Sequence, residues 1–161
     1  MNIWLLAGVI AVVVVIVVVK RLAGEPLDAR DLFGPALVLT AIGTWTVVRN
    51  EAGLTGTDLA WTVSGAVLGL ALGAARGATV RVFEKEGVLW QRYTGRTFLV
   101  LAVSLAVMAG FGWLAARGGM HEGARPVQLS IGVGFLGEAL VVGARGLATG
   151  VPFATRASRR S

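Results

Sequence analysis

Apolar residues run in long blocks along this chain, and polar residues gather in the gaps between them. A bilayer-spanning helix needs about 20 mostly apolar residues. Five stretches meet that requirement, at about 3–19, 32–48, 59–75, 97–115 and 127–147. The first ends in "AVVVVIVVV", a β-branched run that forms helix poorly in water. In lipid the backbone must satisfy its own hydrogen bonds, so helix is expected there. Asp31 is placed to cap the second helix, with Pro35 in its first turn. Thr57 or Asp58 is placed to cap the third, and Pro126 introduces the fifth.

One gap is long. "TVRVFEKEGVLWQRYTGR" carries two short β-favouring runs around "EKEG". This pattern predicts a β-hairpin with Gly87 at the turn. The expected fold is all-α membrane: a five-helix transmembrane bundle with a short cytoplasmic-face β-hairpin between helices 3 and 4. A single domain over 1–161 follows, because neither an internal repeat nor a soluble second domain is visible.

Composition agrees. Of the 161 residues, 55% are hydrophobic and 15% charged, far from soluble averages. The net charge is +6, mostly arginine, and the basic residues flank the apolar blocks. They therefore speak for membrane orientation and lipid head groups, and nucleic acid is not an expected partner.

Basic residues alternate between rich and poor gaps. Lys20, Arg21 and Arg30 follow the first span, and Arg49 alone follows the second. Arg76, Arg81, Lys85, Arg92 and Arg96 follow the third. Arg117 and Arg125 follow the fourth, and Arg156, Arg159 and Arg160 end the chain. The positive-inside rule then sets the N-terminus outside and the C-terminus in the cytoplasm. In that arrangement Trp4, Trp45, Trp61 and Trp113 fall at the outer interface. Phe83, Trp90 and Tyr93 fall at the inner one, as an aromatic belt requires. The first span reads as an anchor, since no basic segment precedes it.

"GLALGAARGATVRVFEKEGVLWQRYTGRTF" and "KRLAGEPLDARDLFGPALVL" resemble the CcdC-like family of small bacterial membrane proteins, whose function is unassigned. The matching residues are Arg76, Gly77, Thr79, Gly87, Leu89, Trp90 and Arg92, and the likeness covers roughly 18–115. The resemblance implies a small polytopic membrane protein. The family's name points to cytochrome c maturation. This chain has no cysteine to pass electrons and a single histidine, too few for paired haem ligation.

Candidate chemistry centres on Glu138. It lies about 11 residues into the fifth span, or roughly 16 Å by helix rise, near mid-membrane. An intramembrane carboxyl group faces a bundle interior or cavity. It serves either as general acid, proton relay or counter-ion, or as a structural group bonded across helices. Arg145 lies two turns on along the same face and either pairs with it or snorkels to the interface. A second candidate is an outer substrate pocket of Trp45, Trp61, Trp113, Arg49 and Asp58, with Asn50, Glu51, His121 and Glu122 nearby. Ordinary loop polarity and interfacial tryptophans explain the same residues. His121–Glu122 lacks the second histidine of a zinc hydrolase motif. Arg81, Lys85, Arg92 and Arg96 are expected at lipid head groups.

Gly65, Gly69, Gly73 and Gly77 make a ridge at every fourth residue, the spacing of close helix packing. Ala102, Ala106 and Gly110 on span four match it, as do Ser130 with Gly134 and Ala139 with Gly143 on span five. Homodimerisation or a groove for a lipid tail would use the same ridge.

No cofactor or metal is expected. The leading functional expectation is an accessory or scaffold-like membrane protein, whose partners are the bilayer and a second membrane protein or a second copy. The alternative is a membrane-embedded enzyme, such as a cyclase, on a lipophilic isoprenoid substrate with Glu138 as acid. A third is a small proton-coupled carrier, again through Glu138.

Overall fold

The computed structural model describes residues 3–49, 53–122 and 127–155, with the side chains of 3–7, 9–11 and 13–14 outside that description. Trp4's side chain, Asn50, Glu51, Arg125, Pro126, Arg156, Arg159 and Arg160 therefore lie outside the described residues. Five helices and three strands follow in order: α1 (Ile3–Ala23), β1 (Glu25–Pro26), α2 (Ala29–Arg49), α3 (Gly56–Thr79), β2 (Arg81–Lys85), β3 (Val88–Arg92), α4 (Gly95–Arg117) and α5 (Val127–Ala148). Helices α2 to α5 are each long and apolar enough to cross a membrane.

Their surfaces have the polarity of membrane helices. Val38, Val63, Val67, Leu99, Leu105 and Leu140 all point outward. Glycines and other small residues fill the contacts between helices. Helix α5 lies between α2 and α3, and α3 also meets α4. A Cβ on Gly73 would collide with the Gly134 carbonyl, and one on Gly77 would sit 2.8 Å from the Glu138 carbonyl oxygen. On its other side α5 presents Gly132 to Thr40, while Gly43 of α2 meets Leu129. Backbones this close trade side-chain volume for dispersion contact over a long seam.

The ridge on α3 is thus divided. Its Gly73–Gly77 half is closed by α5, whereas a Cβ on Gly65 would meet the Phe111 ring of α4 at 2.9 Å. The small residues expected on span four do not take part: Ala102, Ala106 and Gly110 are exposed, and nothing stands within 4 Å of a Cβ at Gly110. On span five, Ser130 and Gly134 turn to α3, but Gly143 turns to Phe33 of α2.

Helix α1 departs from the expected bundle. Its principal contact is with β3, not with another helix. Val12, Val15, Ile16, Val17 and Val19 are each more than half exposed.

The hairpin forms where expected. Strands β2 and β3 pair antiparallel from Arg81↔Arg92 to Lys85↔Val88. Glu86 and Gly87 both take positive φ, 56° and 75°, the conformation of a tight two-residue hairpin turn. The hairpin is nevertheless part of a larger sheet. Glu25 and Pro26 add a third strand, giving the order β1–β3–β2. The segment after α5 also returns: Ala154 N–H donates to Leu27 O, and Leu89 N–H to Pro152 O. Isolated hairpins are marginal, and a third strand with apolar packing stabilises them. Leu27, Val80, Leu89, Tyr93 and Val142 supply that packing. This cluster of buried large side chains sits at the sheet end of the molecule.

Two helix starts are set by caps other than those expected. Asp28, not Asp31, caps α2 by accepting from the Arg30 amide at 2.9 Å. Helix α2 begins at Ala29, so Pro35 lies within it rather than in its first turn. Thr55, not Thr57 or Asp58, caps α3, and Asp58 answers as the N3 partner of a capping box. Thr94 and Thr97 form the same motif at α4.

Candidate functional site

Three chain segments converge around Glu138 of α5. Arg76, near the end of α3, places Nε 2.5 Å from Glu138 Oε2. The Tyr93 hydroxyl, from the link between β3 and α4, donates to Glu138 Oε1. The Arg21 guanidinium, at the end of α1, lies 5.0 Å over the Tyr93 ring. Arg76 is further held by the Gly134 carbonyl at 3.4 Å and by the Phe135 ring at 5.6 Å. Arg76, Glu138 and Tyr93 are all buried.

Each partner has a local reason to be there. Arg76 stands beside Gly77, whose missing side chain lets α3 approach the backbone of Glu138. Tyr93 follows β3 directly, and its amide donates to Arg21 O, which fixes the ring beside α1. Burial first, and the adjacent Glu138 charge second, hold the Tyr93 phenol above its ordinary range. It thus remains a proton donor to the carboxylate.

Three expectations change here. Counting along α5 puts Glu138 at mid-span, but it packs level with Gly77 and Tyr93, where the sheet begins. The depth of a residue depends on where its neighbouring helices end, and α5 continues to Ala148 beside the sheet. Arg76, counted in the sequence with the basic residues that follow the third span, is the buried partner of Glu138. Arg145, expected to pair with Glu138 or snorkel, donates to the carbonyls of Gly77, Ala78 and Val80 at 3.0, 3.2 and 2.7 Å. Those carbonyls lie at the end of α3, where a cation also meets the negative end of the helix dipole.

Glu138 lines a cleft of about 90 Å³ of mixed character, with Arg21, Glu25 and Gln91 beside Leu32, Pro35 and Phe135. A second cleft, of about 600 Å³, opens toward the far ends of α3, α4 and α5. Trp61, Gly65, Met108, Phe111, Glu122 and Ser130 are among the residues that line it. Glu138 is not among its lining residues.

The expected outer pocket is not assembled. Of Trp45, Trp61, Trp113, Arg49 and Asp58, only Trp61 lines that cleft, in edge contact with Phe111 at 5.4 Å between centroids. Trp45 and Trp113 are exposed, stacked with Arg49 at 5.0 Å and Arg117 at 3.9 Å respectively. Asp58 is fully buried: it accepts from Thr55 and from the His121 backbone amide at 2.8 Å, with His121 Nδ1 at 2.9 Å. That cluster ties the start of α3 to the segment after α4.

On the sheet, strand alternation sorts side chains by face. Leu89 and Gln91 are buried, whereas Arg81, Lys85 and Arg92 are exposed on the face that carries Phe83 and Trp90. Lys85 Nζ lies 4.4 Å over the Trp90 ring. Arg96, in the first turn of α4, is exposed too. Tyr93, expected with Phe83 and Trp90 in an interfacial belt, is buried against Glu138 instead.

The buried ion pair was half visible in the sequence. Glu138 stood out as a lone carboxyl in an apolar block, but Arg76 carried no signal to separate it from the other basic residues after span three. Comparison of the chain with family models, with curated proteins and with solved structures finds no match.

Proposed function

We propose that this chain is an accessory, non-catalytic protein of the cytoplasmic membrane, of the CcdC-like type. It spans the membrane five times, with α1 as the first span, the N-terminus outside and the sheet on the cytoplasmic side. The observation that carries the reading is the full engagement of Glu138. Both carboxylate oxygens have internal partners, Arg76 and Tyr93, so the group acts as a brace between α3, α5 and the sheet. A general acid must reach its substrate, whereas both oxygens of Glu138 are engaged inside the protein and Glu138 does not line the larger apolar cleft. The exposed apolar surface of α1 suits a partner helix as well as lipid. The basic and aromatic face of the sheet suits anionic head groups at the membrane surface.

Purification from native membranes in mild detergent tests this. Co-purification of a second membrane protein, or a second copy of the chain, is the expected result. A single monomeric species across several mild detergents would overturn it.

The lipophilic-enzyme alternative draws support from the 600 Å³ cleft, which is apolar and carries Trp61 and Phe111. Its acid would then have to be a group other than Glu138, and Glu122 is the carboxyl group at that cleft. Conversion of an isoprenoid precursor by membranes carrying the protein, lost in Glu122→Gln and kept in Glu138→Gln, would favour this reading.

A further inference from the structure

Helix α3 packs on both α4 and α5, which do not pack extensively on one another, so a trench opens between them with α3 as its floor. Gly65 and Ala66 line that floor, and Trp61 and Phe111 wall one end in edge contact at 5.4 Å. Along α4 the lining runs from Ala115, near the end of the helix, to Leu105, near its midpoint. That stretch of helix rises about 15 Å, half the thickness of a hydrocarbon core of about 30 Å. In a bundle that spans the bilayer, the trench therefore reaches from the membrane surface to its centre, the depth of one leaflet. Its volume of about 600 Å³ is that of a small-molecule site.

Glu122 marks the surface end of this trench. Among the described residues it is the sole charged group in the lining, it is exposed, and it makes no hydrogen bond or ion pair. Arg49 and Arg117, the described arginines at this end of the bundle, stack on Trp45 and Trp113, and neither lines the trench. A carboxylate only accepts hydrogen bonds, so a ligand head that meets Glu122 must donate, and an anionic head is repelled. An ammonium also donates. Taking its charge into an apolar trench is costly, however, and an exposed carboxylate repays little of that cost. A neutral hydroxyl enters more easily.

We propose that this trench binds a lipophilic alcohol: a hydrocarbon chain whose terminal hydroxyl donates to the Glu122 carboxylate. The chain lies against Trp61, Phe111 and Met108 and reaches inward to Leu105. Bilayer phospholipids are disfavoured there because each would bring its phosphate to Glu122. The site stands whether the protein is accessory or catalytic, because its occupancy is read without a protein partner and without turnover.

The full-length protein in phosphatidylcholine nanodiscs is photolabelled with hexadecanol that carries a diazirine in its tail. Hexadecanol, hexadecylamine and hexadecyl phosphate then compete for the site. Peptide mass spectrometry is expected to place the label in the trench, on Leu105–Ala115 and Val127–Ile131. Hexadecanol is expected to compete about tenfold better than hexadecyl phosphate, which lacks the donated hydrogen bond and adds a like charge. Glu122→Gln removes the charge at an exposed position and is expected to close most of that gap. Ala109→Phe, on the exposed side of α4, fills the trench and is expected to abolish labelling there while the unfolding midpoint stays near wild type. Label spread evenly over all lipid-facing helices overturns the proposal, as does undiminished trench labelling in Ala109→Phe. Hexadecyl phosphate competing as well as the alcohol overturns it too, and so does hexadecylamine competing better, which would assign an ammonium instead.

Discussion

Arg76 and Glu138 are 62 residues apart in sequence, yet Nε of one lies 2.5 Å from Oε2 of the other in the buried seam between α3 and α5. Removing one member of a buried ion pair leaves the other charge uncompensated, at about 3–5 kcal/mol. Arg76→Met and Glu138→Leu alone should therefore each strongly lower the unfolding midpoint in detergent. The double variant should be much less damaged than the sum of the two, because it buries no lone charge. Additive losses in a double-mutant cycle would reject the coupling.

Tyr93→Phe keeps the ring under Arg21 and against Phe98 but removes the hydroxyl that Glu138 accepts. A hydrogen bond to a charged group contributes about 1.5–3 kcal/mol. A midpoint loss of that order is expected in the wild-type background. In Glu138→Leu the same change should do little, since the acceptor is already gone. An equal loss in both backgrounds would show that the hydroxyl acts elsewhere.

Glycine substitutions should rank by what the new methyl meets. Gly73→Ala drives a Cβ into the Gly134 backbone, which cannot yield without parting α3 from α5. Overpacking of this kind costs about 1–3 kcal/mol or more. Gly65→Ala meets the edge of the Phe111 ring, which can rotate, so its cost should be smaller. Gly110→Ala meets nothing and should be neutral or slightly stabilising. Melting midpoints in the reverse order would contradict the packing.

At the other end of the bundle, Asp58→Ala removes the N3 half of the α3 capping box and the acceptor of the His121 amide. A lost cap costs about 1 kcal/mol, and an orphaned buried donor adds about 1–3 kcal/mol. His121→Ala should cost less, because the ring is largely exposed and the backbone bond survives. Hydrogen exchange at the start of α3 reads both, with faster exchange expected in Asp58→Ala.

The chain has no cysteine, so single cysteines report topology without background labelling. Lys85→Cys in β2 and Arg117→Cys at the end of α4 lie at opposite ends of the bundle. With the sheet on the cytoplasmic side, an impermeant maleimide added to intact cells should label position 117 and spare position 85. The opposite pattern would invert the proposed orientation.

Much of this molecule is legible in its sequence because lipid simplifies the problem. Spans of about 20 apolar residues, the hairpin around Gly87 and the exposure of Arg81, Lys85, Arg92 and Arg96 all follow from local composition and strand period. Glu138 is conspicuous for the same reason: one carboxyl group in an apolar block has no local explanation. Tertiary structure alone chose its partners. Arg76, Arg145 and Tyr93 are polar groups near span ends, and nothing local tells which cation meets a carboxylate, which meets open carbonyls and which ring turns inward. Those choices depend on how far each helix runs past its neighbours. They also depend on which glycines let backbones touch, and Ala102, Ala106 and Gly110 show that small-residue spacing alone does not bring a partner. The third strand and the returning segment at Ala154 escaped for a related reason, since their hydrogen bonds join residues that share no sequence pattern. Local chemistry determined the elements; long-range packing of backbone against backbone decided which charges they would bury together.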